Sequence, residues 1–209
     1  MIPPDLLHRY ENLAAAADRA FARMQAEYPD AVQCRTGCSD CCHAVFGLFP
    51  IEAAMVKRHF EEIPRKIRRS ALQRGKRADR ELRRMEDRWK DREGDPRDTA
   101  LLLAGERVRC PLLDEGHACI LYPHRPITCR VYGIPAVVQG RVRVCGRSGF
   151  GEGRTYPVFD LDAAYRKLHG LSRSLLAVGG GKSVERASLL ISVPRVLDIP
   201  MEDILRGVF

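Results

Sequence analysis

Residues 34–42 read CRTGCSDCC and hold half of the eight cysteines of this 209-residue chain. The other four follow at Cys110, Cys119, Cys129 and Cys145. Thiolate is a soft, anionic ligand that suits zinc and iron–sulfur clusters. Three cysteines within five residues of a loop rich in Gly, Ser and Asp are not typical of core packing. We therefore expect this loop to bind metal and the fold to be organised around it.

Eight thiolates suffice for two four-cysteine metal sites with none left over. The two-residue spacer between Cys38 and Cys41 allows both sulfurs to reach one metal, and Gly37 favours a tight turn. The adjacent side chains of Cys41 and Cys42 are expected to diverge, which favours two neighbouring sites or one polynuclear cluster over a single ion. The predicted ligands are Cys34, Cys38, Cys41, Cys42, Cys110, Cys119, Cys129 and Cys145.

Composition narrows the class of protein. A hydrophobic fraction of 45% excludes wholesale disorder. The N-terminal sequence has no basic leader followed by an apolar segment, and no run approaches the roughly 18 apolar residues of a membrane span. We expect a cytoplasmic protein with no membrane partner. In that reducing compartment, metal chemistry explains eight cysteines better than disulfides do.

The hydrophobic pattern predicts a mainly α fold with a small β element, an α+β class in which a helical domain surrounds the cysteine-rich metal site. Apolar residues at three- and four-residue steps predict helices over 5–28, 50–63, about 65–93, 160–178, 183–193 and after Pro200. The turn-forming sequences at 114–116 and 139–140 predict two short hairpins.

We expect one domain over residues 1–209. Within it, 34–145 forms the cysteine-cluster core, interrupted by a basic helical insertion at about 65–97, and 146–209 is a helical C-terminal extension. The insertion contains 14 Lys and Arg against 7 Asp and Glu, so it carries most of the net charge of +8. It has a thin apolar stripe, which comprises Ile67, Ala71, Leu82, Met85 and Trp89.

Acidic residues interleave with the basic ones along this insertion, and many pairs are spaced three or four residues apart. Such a pattern is typical of a solvated helix. We expect the basic helix to dock a protein partner; binding to nucleic acid is the less favoured alternative.

Two arginines and a tyrosine accompany the second cysteine group. The positive charges of Arg125 and Arg130 would stabilise a cluster of net negative charge, which places both in a second shell around the metal together with Tyr122. The alternative is that the arginines pair with carboxylates such as Glu52 or Asp114 and that Tyr122 only packs.

The motif CRTGCSDCC, followed by CPLL from residue 110 and CILYPHRPITCRVYG from residue 119, resembles the bacterial CxxCxxCC family of zinc- or iron-chelating domains, also called YkgJ-like cysteine-cluster proteins. The resemblance covers about 34–145, and its most specific part is Cys119 to Arg130. It implies metal chelation by the cysteines and no defined reaction, so whether the protein is an enzyme stays open.

These observations support two hypotheses of different class. The first is an iron–sulfur protein acting in electron transfer, metal handling or support of a modifying enzyme. The second is a structural module in which the same cysteines bind two zinc ions and the basic helix is presented to a protein or nucleic-acid partner.

Overall fold

The computed structural model describes residues 1–35, 37–90, 105–151, 153–180 and 184–209, without the side chains of Trp89 and Lys90. The α-helices among these residues are α1 (Pro4–Glu27), α2 (Pro50–Glu62), α3 (Arg65–Lys90), α4 (Ile127–Val131), α5 (Leu161–Val178), α6 (Val193–Asp198) and α7 (Met201–Arg206). The strands are β1 (Ala136–Val138), β2 (Arg141–Arg143) and β3 (Phe159–Asp160). The predicted class, mainly α with a small β element, is confirmed.

Helix α2 is the buried centre of the molecule. Pro50 suits its first turn, where the missing N–H has no helical partner. The side chains of Ile51, Ala53, Ala54 and Val56 are fully enclosed, and α5, α6 and α7 pack around the helix. Because α2 begins eight residues after the cysteine loop ends, it fixes that loop against the core.

Helix α1 buries the face that its periodicity predicts, including Leu6, Tyr10, Ala17 and Met24. This face packs against α4 and α5. The helix ends just before Pro29, which cannot continue it. Helix α1 therefore forms one wall behind α4, the short helix that carries Cys129.

Helix α3 contacts the rest of the molecule mainly through α6. Its buried positions are small or flexible, with Ala71, Ala78 and Met85 inside. Ile67, at the start of the predicted apolar stripe, is 41% exposed. The Trp89 side chain and residues 91–97 of the predicted insertion lie outside the described residues.

The three strands form one small sheet in the order β2-β1-β3. Strands β1 and β2 make the predicted hairpin, with Gln139 and Gly140 at positive φ of 52° and 70°. The Asp162 carboxylate accepts hydrogen bonds from both of these turn N–H groups, at 2.9 and 2.8 Å. The predicted hairpin at 114–116 is also present, as an antiparallel bridge of Leu113 with Cys119.

The predicted helix over 183–193 is wrong. Residues Val184–Ser188 form a 3₁₀ turn, and the chain then extends so that Ile191 pairs with Leu48 through two backbone hydrogen bonds of 2.8 and 2.9 Å. A new helix, α6, starts after Ser192, whose hydroxyl accepts a hydrogen bond from the N–H of Arg195 at 3.4 Å. Ser183, at which this helix was predicted to begin, lies outside the described residues.

The C-terminal helices share one hydrophobic core with the cysteine segment: Ile51 and Leu168, for example, belong to the same buried cluster. Within the described part of the chain, no helix is both long enough and apolar enough to cross a membrane. The division into one domain with a C-terminal extension stays a prediction.

Candidate metal centre

The cysteine loop folds back on itself in two short turns. The N–H of Cys38 donates to the carbonyl of Arg35 at 2.9 Å, and Gly37 has a φ of +85°, which glycine adopts without strain. Residues Asp40–Cys42 then form a 3₁₀ turn in which the N–H of Cys42 donates to the carbonyl of Ser39. These turns gather the loop cysteines within one compact segment.

Two backbone hydrogen bonds bring the second cysteine segment alongside the loop. The N–H of Cys110 donates to the carbonyl of Cys42 at 2.7 Å, and the N–H of Val108 donates to the carbonyl of His43 at 3.0 Å. The chain therefore leaves the site at His43, builds α2 and α3, and returns to the same place at Val108.

Five thiols then form one group, in which each thiol feels the charge of others: Cys41, Cys42, Cys110, Cys119 and Cys129. Burial, reinforced by neighbouring thiols, raises the pKa of Cys110 to about 12. Burial also raises the pKa of Cys119 and, well above its usual value, that of Cys129. Binding of a metal by Cys110, Cys119 and Cys129 would therefore have to displace their protons.

The thiols of Cys41 and Cys42 interact with one another, which lowers the pKa of Cys41 and raises that of Cys42. The expectation that these two adjacent side chains diverge towards different metals stays a prediction.

The remaining cysteines form a second group of three: Cys34, Cys38 and Cys145. They line one small surface cavity together with Gly133. Burial and the two neighbouring thiols of the group raise the pKa of Cys34 to about 11. A Cβ at Gly133 would overlap the Cys34 sulfur. By their mutual effects on ionisation the thiols thus fall into sets of five and three, which interact through Cys41 and Cys34, whereas the order along the chain gives four and four.

Asp40 lies beside the second group and was not predicted as a site residue. Its side chain is 12% exposed. The Cys145 thiol donates to its Oδ2 at 3.4 Å, and the guanidinium groups of Arg107 and Arg147 contact its Oδ1 at 2.6 and 3.3 Å. Although burial opposes ionisation, that hydrogen bond and those two charges hold the pKa of Asp40 below its usual value.

Arg125 is placed among the cysteines, as its predicted role requires. Its charge acts to lower the pKa of four thiols: Cys34, Cys41, Cys119 and Cys129. The guanidinium stacks over the ring of Tyr122 at 3.7 Å, and its Nε donates to the Tyr122 carbonyl at 3.0 Å. Tyr122 is 60% exposed, so it holds Arg125 from the solvent side. Their second-shell roles stay predictions.

Arg130 is a buried connector. Its guanidinium donates to the carboxylate of Asp18 on α1 at 2.5 Å, and to the carbonyls of Pro123 and Arg125 at 2.7 and 2.8 Å. Arg130 therefore does pair with a carboxylate, as the alternative interpretation of the sequence expected, but the partner is Asp18 and not Glu52. Through the Arg125 carbonyl, Arg130 fixes the backbone from which the Arg125 side chain extends.

Glu52 connects the first turns of α2 and α4. Its Oε1 accepts from the N–H of Ile127 at 2.9 Å and its Oε2 from the N–H of Phe49 at 3.3 Å. Its burial raises its pKa to about 7. A single carboxyl in the apolar stretch Pro50–Val56 is the sequence signal that could have revealed this buried acceptor.

The donor set fits metal binding by its chemistry. All eight cysteines are free, and thiolates are soft ligands that suit both zinc and iron. Among the residues that the structure describes, no three Cys, His, Asp or Glu side chains are arranged to hold an ion as they stand. The backbone thus brings the donors together, and side-chain rotation has to complete the coordination.

Grouped free thiols next to an arginine define a class, the cysteine-ligated metal-binding proteins. The model of the CxxCxxCC family, described as "putative zinc- or iron-chelating domain", matches residues 33–145, more than half of the chain. The chain belongs to this family, which confirms the resemblance seen in the sequence and supports metal binding. No curated protein and no solved structure matches it.

Proposed function

We propose that the protein is an iron–sulfur protein that carries single electrons in the cytoplasm. The observation that carries the proposal is the group of five coupled thiols around Cys41. A zinc ion takes four ligands, so five thiols at one place exceed the needs of one such ion. Cys41 is also coupled to Cys34 of the second group, which favours two adjacent centres or one polynuclear centre.

The surroundings of the thiols suit a cluster of net negative charge. Arg125 brings a positive charge to four of the eight sulfurs, which offsets the charge of thiolates that lose their protons on binding. Ile127 and Leu121 are buried beside α4, and an apolar shell of this kind limits water access. When bound, an iron–sulfur cluster would supply a one-electron donor and acceptor.

The position of the cysteine residues near the surface supports exchange of electrons with a partner. As whole residues, seven of the eight are half-buried and Cys145 is buried, although the thiols of Cys110 and Cys129 themselves are enclosed. A centre close to the surface can reach a docked protein without a channel for substrate. This proposal therefore needs no further reactive residue from the chain.

The test is anaerobic purification followed by measurement of iron, sulfide and zinc per chain. We expect a brown protein with iron and sulfide in equal amounts, and a reversible loss of colour on reduction. A colourless protein with about two zinc ions per chain would overturn the iron–sulfur proposal. Ala replacements of Cys41 and Cys42, made separately, should each change the metal content; a replacement that leaves it unaltered removes that cysteine from the ligand set.

The second candidate is a two-zinc module that presents α3. Exposed arginines along this helix favour it: Arg83, for example, is 70% exposed although it pairs with Asp79 at 2.9 Å. A protein with an acidic surface is the partner that we favour for the exposed arginines of α3. Binding to duplex and single-stranded nucleic acid at low salt tests the alternative partner, and the absence of binding there removes it.

A further inference from the structure

The hydrogen bond from the Cys145 thiol to Asp40 cannot persist once a metal ion binds the Cys145 sulfur. In the thiol form, the Cys145 S–H donates to Asp40 Oδ2 at 3.4 Å. Metal ligation requires the thiolate, so this proton leaves to solvent. Asp40 Oδ2 and Cys145 Sγ are then two potential donor atoms that lie 3.4 Å apart, close enough to share one metal ion.

The two arginines leave Oδ2 available for that cation. Arg107 and Arg147 both contact Oδ1, at 2.6 and 3.3 Å, and Arg107 is itself held by the Tyr132 hydroxyl at 3.4 Å and the Asp40 carbonyl at 3.0 Å. The carboxylate is thereby oriented with Oδ2 towards Cys145. Carboxylates that bind a metal are commonly held in orientation by hydrogen bonds from neighbouring side chains.

The distance also fits a shared ion. In a tetrahedral site, a metal–sulfur bond of about 2.3 Å and a metal–oxygen bond of about 2.0 Å place the two donor atoms about 3.5 Å apart. The Asp40 Oδ2 and Cys145 Sγ atoms are 3.4 Å apart. Cys34 and Cys38, which line the same cavity as Cys145, would bring the count of donors from two to four.

We infer that Asp40 is a metal ligand, and that it completes a three-cysteine, one-carboxylate site with Cys34, Cys38 and Cys145. The inference rests on the proposed binding of metal by the cysteines. It explains why the second group has only three thiols, because the fourth donor is an oxygen. The five-thiol group around Cys41 is then the separate, all-sulfur centre.

Site-resolved alkylation tests this inference. Reduced, metal-free protein is incubated anaerobically with Zn²⁺ alone, and iodoacetamide labelling of each cysteine is followed by mass spectrometry. In Asp40→Asn we expect labelling of Cys34, Cys38 and Cys145 to accelerate about tenfold or more. Labelling of the five-thiol group should be unchanged.

The substitution Asp40→Cys distinguishes a metal-ligand role of Asp40 from a role that depends only on its ion pairs with the two arginines. A thiol at this position can bind metal but, when protonated, cannot replace the ion pairs with Arg107 and Arg147. A ligand role predicts that Asp40→Cys keeps the three thiols protected; loss of protection equal to that in Asp40→Asn would overturn the inference. Asp162→Asn, which changes another hydrogen-bonded aspartate, is the matched control and should leave labelling unchanged.

The possible failures are distinct. If Zn²⁺ protects no cysteine of the parent protein, zinc binding by the thiols fails and the inference fails with it, whereas the iron and sulfide measurement still decides the iron–sulfur proposal. If the parent is protected at all eight cysteines and Asp40→Asn equally so, only the ligand role of Asp40 is refuted. Circular dichroism checks folding, and if Asp40→Asn does not fold, the protection pattern of Asp40→Cys decides.

Discussion

Glu52 allows the packing behind the cysteine loop to be tested quantitatively. This carboxyl group is 2% exposed, and burial raises its pKa from 4.5 to about 7. The change corresponds to about 3 kcal/mol, at about 1.4 kcal/mol per pH unit. Because the folded state holds the proton more tightly than the unfolded chain, this contribution to stability is fully present below pH 4.5 and is lost as the pH rises through about 7.

The substitution Glu52→Gln removes this titration and nearly preserves the side-chain shape. Its amide group has to face one of the two N–H donors, which costs about 1–3 kcal/mol at every pH. Between about pH 5 and about pH 8, we expect the free energy of unfolding of the variant to rise relative to the parent by about 2–3 kcal/mol. The comparison cancels the titration of the cysteines, which both proteins share.

Urea denaturation followed by circular dichroism at several pH values measures this difference, with the metal content matched. Glu11→Gln, at an exposed position of α1, is the control and should differ from the parent by a constant amount. If the difference between Glu52→Gln and the parent also stays constant within about 0.5 kcal/mol, the raised pKa of Glu52 is refuted.

Three further substitutions test the surroundings of the site. Gly133→Ala should displace the Cys34 sulfur and lower the free energy of unfolding by about 1–3 kcal/mol. Gly146→Ala, which adds a methyl group in open space, is its control, and equal urea midpoints for the two variants would contradict the prediction. Arg130→Lys cannot keep all three hydrogen bonds and should cost about 2–4 kcal/mol; an unchanged thermal midpoint would argue against the connector role. Leu168→Ala, in the fully enclosed face of α5, should cost about 2–5 kcal/mol in urea denaturation, and a smaller loss would place it outside the core.

Local patterns predicted the elements whose stabilising residues are close in sequence. The three- and four-residue spacing of Leu6, Tyr10 and Ala17 predicted α1, and Gln139-Gly140 predicted the hairpin, since each pattern reflects backbone geometry alone. The helix predicted over 183–193 failed for a complementary reason. The backbone of Ile191 pairs with Leu48, and nothing in the local sequence encodes that partner.

The candidate metal centre shows the same difference between features that local sequence predicts and features that depend on distant partners. Cysteine identity and number were sufficient to predict metal chemistry, because thiolates have few other uses at this density. The grouping into five and three depends on how residues 107–110 return to the loop, which spacing does not determine. Asp40, Arg130 and Glu52 each have a partner at least 67 positions away, and these long-range contacts emerge only in three dimensions.

The return of the chain from α3 to the cysteine loop has a consequence for the unfolded protein. Cys42 and Cys110 are 68 positions apart, and a centre bound by both would tie these positions together even when the helices between them melt. If the centre is treated as a covalent cross-link, closing a loop of this length stabilises the folded state by about 4 kcal/mol, because it lowers the entropy of the unfolded chain. Loss of metal would then release the segment from α2 to α3 from a tether at both of its ends, and the folded state would lose about that much stability relative to the unfolded chain.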